Sequence, residues 1–285
     1  MKPVLILLLF LAGTAWAGVL PDPGGRLPAT GGVTQIEGAG GGGLVPWALI
    51  SGYGTRDQVG VTAFYTQADP SDFRLHAAGI AVGIHDRVEI SLAQQRLGLG
   101  STVPGQSIDQ NLFGVKLKVL GDAVFDQDRW WPQVAVGAIY KHNEDMAVPF
   151  LLGAKRGADT DFYVSATKIY FAAVFGRNLL LNATVRATRA NQLGLLGFGG
   201  DKNDRYQAMG EYSAGIFLCD RLLLGAEYRQ KPDNLSAFQE QSSHDFFIAF
   251  VPNKRLSVTA AYVDLGQIAD KKDQEAFYVS VQLAF

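Results

Sequence analysis

The sequence predicts an all-β protein, a transmembrane antiparallel β-barrel of about 12 strands, and three observations lead to this fold class. One pattern, in which apolar residues alternate with small or polar ones, recurs six times along the chain. The links between successive segments of this type alternate between very short and long. A tyrosine stands at the same step of four of the six repeats. Agreement between independent signals of this kind is what specifies a fold.

The alternating pattern is the period-2 signature of a strand whose two faces meet different surroundings. Each repeat opens with polar turn residues, and the six lie at 57–65, 86–93, 132–140, 177–185, 220–228 and 254–262. Six further segments run in the opposite sense between them, at about 72–84, 109–120, 160–175, 205–218, 243–252 and 274–285. Together the two sets give 12 strands.

The links between these segments fall into two classes. Very short links occur at 85–87, 176–178, 219–221 and 252–254, whereas long polar links occur at 98–108, 143–159, 192–204, 231–242 and 266–273. Short turns on one rim and long loops on the other are typical of bacterial outer-membrane barrels. Two links depart from the pattern, because 121–129 is long for a periplasmic turn and 69–71 is short for an outer loop.

Four tyrosines share one height on the repeats. An aromatic residue at a fixed height on successive strands is typical of a bilayer interface, and a soluble sandwich has no such common height. We therefore expect an interfacial aromatic girdle formed by Tyr65, Tyr140, Tyr228 and Tyr262.

The last eleven residues, EAFYVSVQLAF, alternate strictly and end on an aromatic residue. This stretch resembles the C-terminal signal of outer-membrane β-barrels, which implies recognition by the barrel-assembly machinery. The residues that carry the resemblance are Phe277, Val279, Val281, Leu283 and Phe285. The alternative is an ordinary C-terminal strand in a periplasmic sandwich.

The N-terminal residues predict export. A basic Lys2, an apolar run and the small residues Ala15 and Ala17 form the pattern of a signal peptide at 1–17, cleaved after Ala17. The apolar run is shorter than the roughly 20 residues that a spanning helix needs, although a retained anchor is the alternative. We expect the outer membrane of a Gram-negative bacterium, with its lipid as surroundings. The low share of charged residues, 18%, agrees with a membrane protein.

The segment 18–43 lies outside the repeat and contains GAGGGG, which is too rich in glycine for a stable strand. It does not form a phosphate-binding loop, because Leu44 and Val45 stand where Lys and Ser or Thr would be needed. Two arrangements remain open. The segment could fold into the lumen as a plug, or pair with 44–53 as a hairpin and give 14 strands. The barrel itself is expected at 44–285.

The positions between the outward apolar residues should line the lumen. The expected basic residues there are Arg74, Lys116, Lys118, Lys141, Arg186 and Arg229, and the expected acidic ones are Glu89, Glu211 and Glu227. An excess of three positive charges predicts a basic lumen that prefers small anionic solutes. Alternatively, these charges pair with one another, although no acidic partner is obvious for Lys116 and Lys118.

Other function classes find little support. One cysteine and four histidines leave little material for a metal site, and we expect no cofactor. A net charge of -2 does not suggest nucleic acid as a partner. Ser242 and His244 could share one face, as in barrel phospholipases, but no residue is clearly placed to orient the imidazole. We therefore expect no enzyme.

The stretches ATGGVTQIEGAGGGGLVPWALISGYGTRDQ and GIHDRVEISLAQQR resemble an uncharacterised family of secreted proteobacterial barrels. The resemblance runs through nearly all of the mature chain and implies a fold and a location without an activity. The Gly-rich opening is also similar to barrels found with exopolysaccharide export systems. The function predicted is a porin-like channel for transport. The alternatives are a structural or assembly barrel with a plugged lumen and a lipid-modifying enzyme.

Overall fold

The computed structural model describes residues 23–33 and 36–285, so the expected signal peptide at 1–17 lies outside the described residues. Twelve antiparallel strands form one closed barrel in which each strand pairs with its neighbours in sequence. The strands are β1 Val59–Ala68, β2 Arg74–Ile84, β3 Val88–Gly98, β4 Ser107–Leu120, β5 Gln133–Asn143, β6 Ala158–Val174, β7 Arg177–Thr188, β8 Gln207–Cys219, β9 Leu222–Arg229, β10 Ser243–Asn253, β11 Leu256–Asp264 and β12 Glu275–Ala284. The predicted all-β barrel of 12 strands is confirmed.

The two faces of each strand follow the alternation of the sequence. On β4, Phe113, Val115 and Leu117 are exposed on the outside, whereas Lys116 and Lys118 are buried on the inside. Strands place successive side chains on opposite faces, so an apolar outer row and a polar inner row form together. Apolar residues outside and charged residues inside are the reverse of a soluble domain and suit a barrel surrounded by lipid.

The seam between the first and last strands closes the barrel. β1 and β12 pair in register from Thr62 opposite Ala284 to Ala68 opposite Tyr278. Beyond the last paired residue, Phe285 and Val61 exchange two backbone hydrogen bonds of 2.8 and 3.1 Å. Closure leaves no strand edge with unpaired N–H and C=O groups, which would be costly in lipid.

The rims differ as the link lengths predicted. One rim carries short turns and the long link at 121–132, and by the usual asymmetry it is the periplasmic rim. The other carries longer loops, among them the β5–β6 loop with a short helix, α1 (Ala147–Leu151). The β7–β8 loop, which includes a 3-10 turn at Asn191–Gly194, folds inward, and Leu195, Leu196 and Phe198 are buried. No helix in the described part of the chain is long and apolar enough to span a membrane.

Residues 23–33 and 36–58 are called the plug below; residues 36–54 are buried inside the barrel, whereas Gly25, Leu27 and residues 56–58 are exposed. Trp47, Leu49 and Ile50 are almost fully buried there. The expectation that the barrel begins at residue 44 is wrong, because β1 begins at Val59 and none of residues 44–58 joins the sheet. The reason is that the apolar side chains of this stretch pack into the lumen instead of facing lipid. The sequence left a plug and an extra hairpin open; among the described residues before Val59, none contributes a strand to the 12-strand sheet.

Candidate functional site: the lumen and its plug

A row of alternating charges crosses five consecutive strands on the lumenal face. Its members, in strand order from β5 to β9, are Lys141, Asp161, Arg186, Glu211 and Arg229, and we call this set the charge row. All five side chains are buried. Because a cation stands at both ends of the charge row, the row carries one positive charge more than its two carboxylates balance.

Glu37 of the plug supplies the missing negative charge. Its Oε1 lies 2.5 Å from Lys141 Nζ and 3.0 Å from Arg229 Nη2. Its Oε2 lies 3.0 Å from Arg229 Nη1 and 3.1 Å from Arg186 Nη1. The two bonds from Arg229 form the bidentate fork that suits a carboxylate. One plug carboxylate therefore contacts all three cations of the charge row.

The wall carboxylates hold these cations in place. Asp161 Oδ2 lies 2.8 Å from Lys141 Nζ and 3.3 Å from Arg186 Nη1. Glu211 Oε1 accepts a bond of 2.5 Å from Arg186 Nε and lies 3.3 Å from Arg229 Nε. The interpretation that lumenal charges pair across neighbouring strands thus holds for Arg186, Glu211 and Arg229. Fixed cations of this kind are pre-organised for an anion, because their positions do not depend on it.

The pKa of Glu37 reflects this setting. Burial by itself raises the pKa of the carboxyl group, since the charged form loses its water. Arg186, Arg229 and Lys141 favour the charged form more strongly, and together they hold the pKa well below its usual value. Glu37 is therefore an anion in the plugged state.

A second cluster holds the middle of the plug against β8 and β9. Glu227 accepts hydrogen bonds from the backbone N–H of Leu44 at 2.7 Å and from Ser213 Oγ at 2.7 Å. The indole Nε1 of Trp47 donates to Ser213 Oγ at 2.9 Å and to Glu227 Oε1 at 3.3 Å. Glu227 thus accepts hydrogen bonds from uncharged groups of the plug, whereas the carboxylates of the charge row contact cations.

The glycine run lets the plug backbone approach the wall closely. A Cβ atom at Gly42 would stand 2.0 Å from Glu227 Oε1, and one at Gly40 would stand 2.9 Å from Glu89 Oε2. Contacts this short do not occur, so any larger residue would displace the plug or the glutamate. This need for close approach explains a run of glycines that the sequence alone marks only as unsuited to a strand.

Lys116 and Glu89 form a third contact with the plug. They lie directly opposite each other on β4 and β3, with 3.0 Å between Nζ and Oε1. Lys116 Nζ also donates to the backbone oxygens of Gly40 and Leu49, and Glu89 accepts from the N–H groups of Gly40 and Ser51. The expectation that Lys116 lacks an acidic neighbour is wrong, because the register places Glu89 beside it.

The periplasmic end of the plug is tied to the rim. Arg26 Nη1 lies 3.0 Å from Asp86, which also pairs with Lys118. Lys254 Nζ donates to the backbone oxygen of Gly24 at 2.7 Å. Lys118, expected to lack an acidic partner, finds it in a turn residue instead of a strand residue.

The outer mouth is closed by a second element. The inward β7–β8 loop accepts hydrogen bonds from the wall, with Lys141 Nζ 2.9 Å from Leu193 O and Asn143 Nδ2 2.6 Å from Leu195 O. Lys141 thus touches both the plug and this loop. Among the described residues, both the plug and this loop therefore contact side chains of the lumenal wall.

Arg74 is the one expected lumenal residue that the structure places elsewhere. It is exposed at the outer end of β2 and pairs with Asp69 at 2.8 Å, while Leu75 is the buried neighbour. The other expected basic and acidic residues are buried on the lumenal side, namely Lys116, Lys118, Lys141, Arg186, Arg229, Glu89, Glu211 and Glu227. Asp161 and Asp245, buried on β6 and β10, were missed as lumenal acids. With Arg74 outside and these two added, the strands carry five bases and five acids on that side, so the expected excess of three positive charges is absent.

The expected outer-face residues lie on the outside. Tyr140, Tyr228 and Tyr262 are exposed, and Tyr65 is partly exposed and bonded to His76 at 2.8 Å. In the terminal stretch Phe277 and Val279 are the most exposed, and Val281, Leu283 and Phe285 are partly buried.

The features considered for catalysis do not assemble. The Ser242 hydroxyl accepts a hydrogen bond from Tyr228 at 3.0 Å, and His244 Nε2 lies 3.8 Å from Asp264, which is beyond hydrogen-bonding distance. Within residues 23–33 and 36–285, no group of three or more His, Cys, Asp or Glu side chains is arranged to hold a metal ion.

Similar solved structures include several outer-membrane barrels of low sequence identity. KdgM porin, solved in complex with disordered oligogalacturonate, is 9% identical, with 79% of this chain and 99% of that chain covered and a TM-score of 0.50. NanC porin is 8% identical, with 79% and 98% covered and a TM-score of 0.48. Omp33 of Acinetobacter baumannii is 10% identical, with 80% and 98% covered and a TM-score of 0.44. At 9% identity the likeness to KdgM porin shows the fold alone.

Sequence comparison gives the family. No curated protein matches the chain. The family model described as "Protein of unknown function (DUF3034)" matches residues 30–282, which include most of the plug and all but the end of the barrel. The resemblance to an uncharacterised family is confirmed, and the chain, whose own fold is the closed barrel described above, belongs to this family of unknown function.

Proposed function

We propose that this protein is a porin-like conduit of the outer membrane that the plug holds closed, and that solutes pass when the plug leaves the lumen. The observation that carries the proposal is the independence of the barrel wall from the plug. The closed sheet consists of β1 to β12 and contains no strand from the described plug residues. The strands thus keep their backbone hydrogen bonds whether or not the plug is present.

The contacts between plug and wall suit reversible binding. The hydrogen bonds described above between them use a side chain on at least one side, as with Glu37, Trp47 and Lys116. When the plug withdraws, water can replace each of these hydrogen-bonding partners, since the wall groups that make these bonds are polar. The apolar outer belt remains in lipid, and the partners expected during biogenesis are outer-membrane lipid and the barrel-assembly machinery.

The ion preference of the open state follows from the charge row. Without Glu37 the row has three cations and two carboxylates, a local excess of one positive charge, although the lumen as a whole is balanced. A charged ring at a narrow position sets ion preference in pores. We therefore propose a modest preference for small anionic solutes, weaker than an excess of three charges would give.

A permanently plugged, structural barrel is the second candidate. The observation that favours it is the double closure, because the plug fills the lumen and the β7–β8 loop also covers the outer mouth. In that case the protein would serve as a rigid membrane scaffold or assembly partner and would never conduct.

Conductance of the full chain and two glycine variants tests the proposal. Gly42→Ala should weaken binding of the plug, because the added Cβ would force Glu227 and the plug apart and disrupt the hydrogen bonds that Glu227 accepts from Leu44 and Trp47. Gly98→Ala is the matched control, since the nearest atom to its Cβ would stand at 3.6 Å. In planar bilayers we expect rare discrete openings of the unmodified protein and frequent openings of Gly42→Ala. The control Gly98→Ala should open as rarely as the unmodified protein.

A chemical reporter covers the case in which the β7–β8 loop limits the current. Ser51 is buried in the plug, so Ser51→Cys should react with a polar maleimide only when the plug is out. Cys219, which is exposed, would be removed by Cys219→Ser. Complete absence of current together with an unreactive reporter, in both the parent and Gly42→Ala, would establish the plugged scaffold instead. Reversal potentials under a salt gradient would measure the ion preference of any openings.

A further inference from the structure

We propose that Lys141, Arg186 and Arg229 form a carboxylate-binding site of the lumen, occupied by Glu37 in the plugged state and by a solute carboxylate in the open state. The inference deepens the proposed conduit by naming a solute class, and for the open state it rests on that function. The closed-state part stands on the geometry alone.

The wall is built to receive one anionic group. The three cations are matched by only two wall carboxylates, Asp161 and Glu211, and all five side chains are buried. An unpaired buried cation is costly, so the site requires one more negative charge when water is excluded. Glu37 brings that charge from a different part of the chain, and it belongs to the segment that is not part of the barrel sheet.

The donors match the shape of a carboxylate. Each oxygen of Glu37 meets two donor groups, Lys141 and Arg229 at Oε1, and Arg229 and Arg186 at Oε2. A spherical halide has one centre and cannot meet both pairs of donors in this way. A phosphate dianion carries more charge than the single excess and adds oxygens that face wall carboxylates. A monocarboxylate fits the charge, the planarity and the two-oxygen spacing.

The placement also predicts competition between plug and solute. A solute carboxylate that binds the charge row must displace Glu37, and it therefore binds the plug-out state better than the plug-in state. A ligand with such differential affinity shifts the equilibrium toward the state it prefers. Carboxylate solutes should therefore promote release of the plug by binding to the charge row, which they also pass in the lumen.

Chemical rescue tests the site in the closed state without requiring conduction. Glu37→Ala removes the atoms that acetate contains, so acetate can refill the space in front of the three cations. The variant should unfold at a lower temperature, and acetate should raise the midpoint of the gel-shift melting curve saturably, with half-saturation on the order of millimolar for such a small ligand. Acetamide, which has the same shape without the charge, and chloride at equal ionic strength should leave the midpoint unchanged.

Two matched variants separate this site from a general effect of anions. Glu227→Ala removes a buried carboxylate held by neutral donors of the plug, so acetate should restore little there. Arg229→Gln combined with Glu37→Ala should lose the rescue, because the bidentate donor is gone. If Glu37→Ala refolds only poorly, the refolding yield with acetate against acetamide gives the same comparison. If acetate and acetamide shift the melting midpoint of Glu37→Ala equally, the proposed carboxylate-binding site is refuted.

The open-state part has its own measurement. In the Ser51→Cys reporter protein that retains Glu37, acetate should raise the rate of the maleimide reaction, whereas acetamide should not. If acetate rescues Glu37→Ala but does not accelerate the maleimide reaction, the carboxylate-binding site is supported and its role in opening is rejected. Absence of rescue would reject the site even if the barrel conducts.

Discussion

Trp47→Ala should release the plug while leaving the barrel intact. Trp47 is completely buried in the lumen and its indole donates to Ser213 and Glu227. Truncation of a buried Trp to Ala costs about 3–5 kcal/mol, which includes the lost apolar contacts and the space left behind. The cost falls on the plugged state alone, because the twelve strands keep their pairing. The population with the plug out should therefore rise by roughly a hundredfold to several-thousandfold.

The reaction rate of the Ser51→Cys reporter measures this change, since it follows the population of the plug-out state when plug motion is fast. Leu27→Ala is the matched control in the same segment, because the Leu27 side chain is about half exposed, at 49%. The barrel is followed separately by its heat-dependent gel shift. If Trp47→Ala lowers the unfolding temperature and leaves the reporter unreactive, plug and barrel form one cooperative unit and the reasoning fails.

Three further predictions concern the wall, the seam and pH. Val136→Arg on the outer face should cost about 2–4 kcal/mol if the residue lies near the membrane midplane, measured by urea titration from lipid vesicles, and a cost as small as that of Val136→Thr would contradict the lipid-facing assignment. Deletion of Phe285 removes two hydrogen bonds to Val61 and should lower the inserted fraction in cells, so normal insertion by fractionation would count against its role as an assembly signal. The depressed pKa of Glu37 means that its stabilising effect is present above the unperturbed value of 4.5 and is lost as the pH falls through the lower folded value. Reporter protection should hold from neutral pH down to 4.5 and weaken only below it, and loss of protection near neutral pH would refute this account.

The barrel was predictable because lipid imposes one rule on every strand. Each strand must alternate apolar and polar faces, so twelve weak patterns repeat and reinforce one another. The same alternation correctly predicted that the side chains of Lys116, Lys141 and Arg186 lie on the lumenal face. It also would have found Asp161, which shares its face with Tyr163 and Ser165, had the alternation been followed from the start of β6.

Arg74 was misplaced for a physical reason. β2 has the sequence RLHAAGIAVGI, in which small and apolar residues occur on both faces, so the alternation does not settle the side. At the outer end of the strand an outward arginine reaches water and Asp69, which removes the cost of facing lipid. A polar side chain therefore indicates the lumenal face of a strand only within the part of the strand that lies in the membrane.

The plug and its key residue could not be read from local patterns. The stretch around Trp47 has the apolar content of a strand, and only the tertiary structure shows that these side chains fill the lumen. Glu37 stands in a segment without regular structure, and its partners lie more than a hundred residues later. The one signal available in the sequence was the charge row, which has three cations against two carboxylates.

The position of Glu37 has a consequence for the order of folding. Its three cationic partners lie on β5, β7 and β9, which are synthesised long after the plug, and the seam between β1 and β12 forms last in the chain order. The interior cannot lose its water until the carboxylate lies between those cations, since the charge row would otherwise hold one buried, uncompensated positive charge. We expect a hydrated, loosely closed barrel to precede the dry one, with plug entry as the late step that completes the native state.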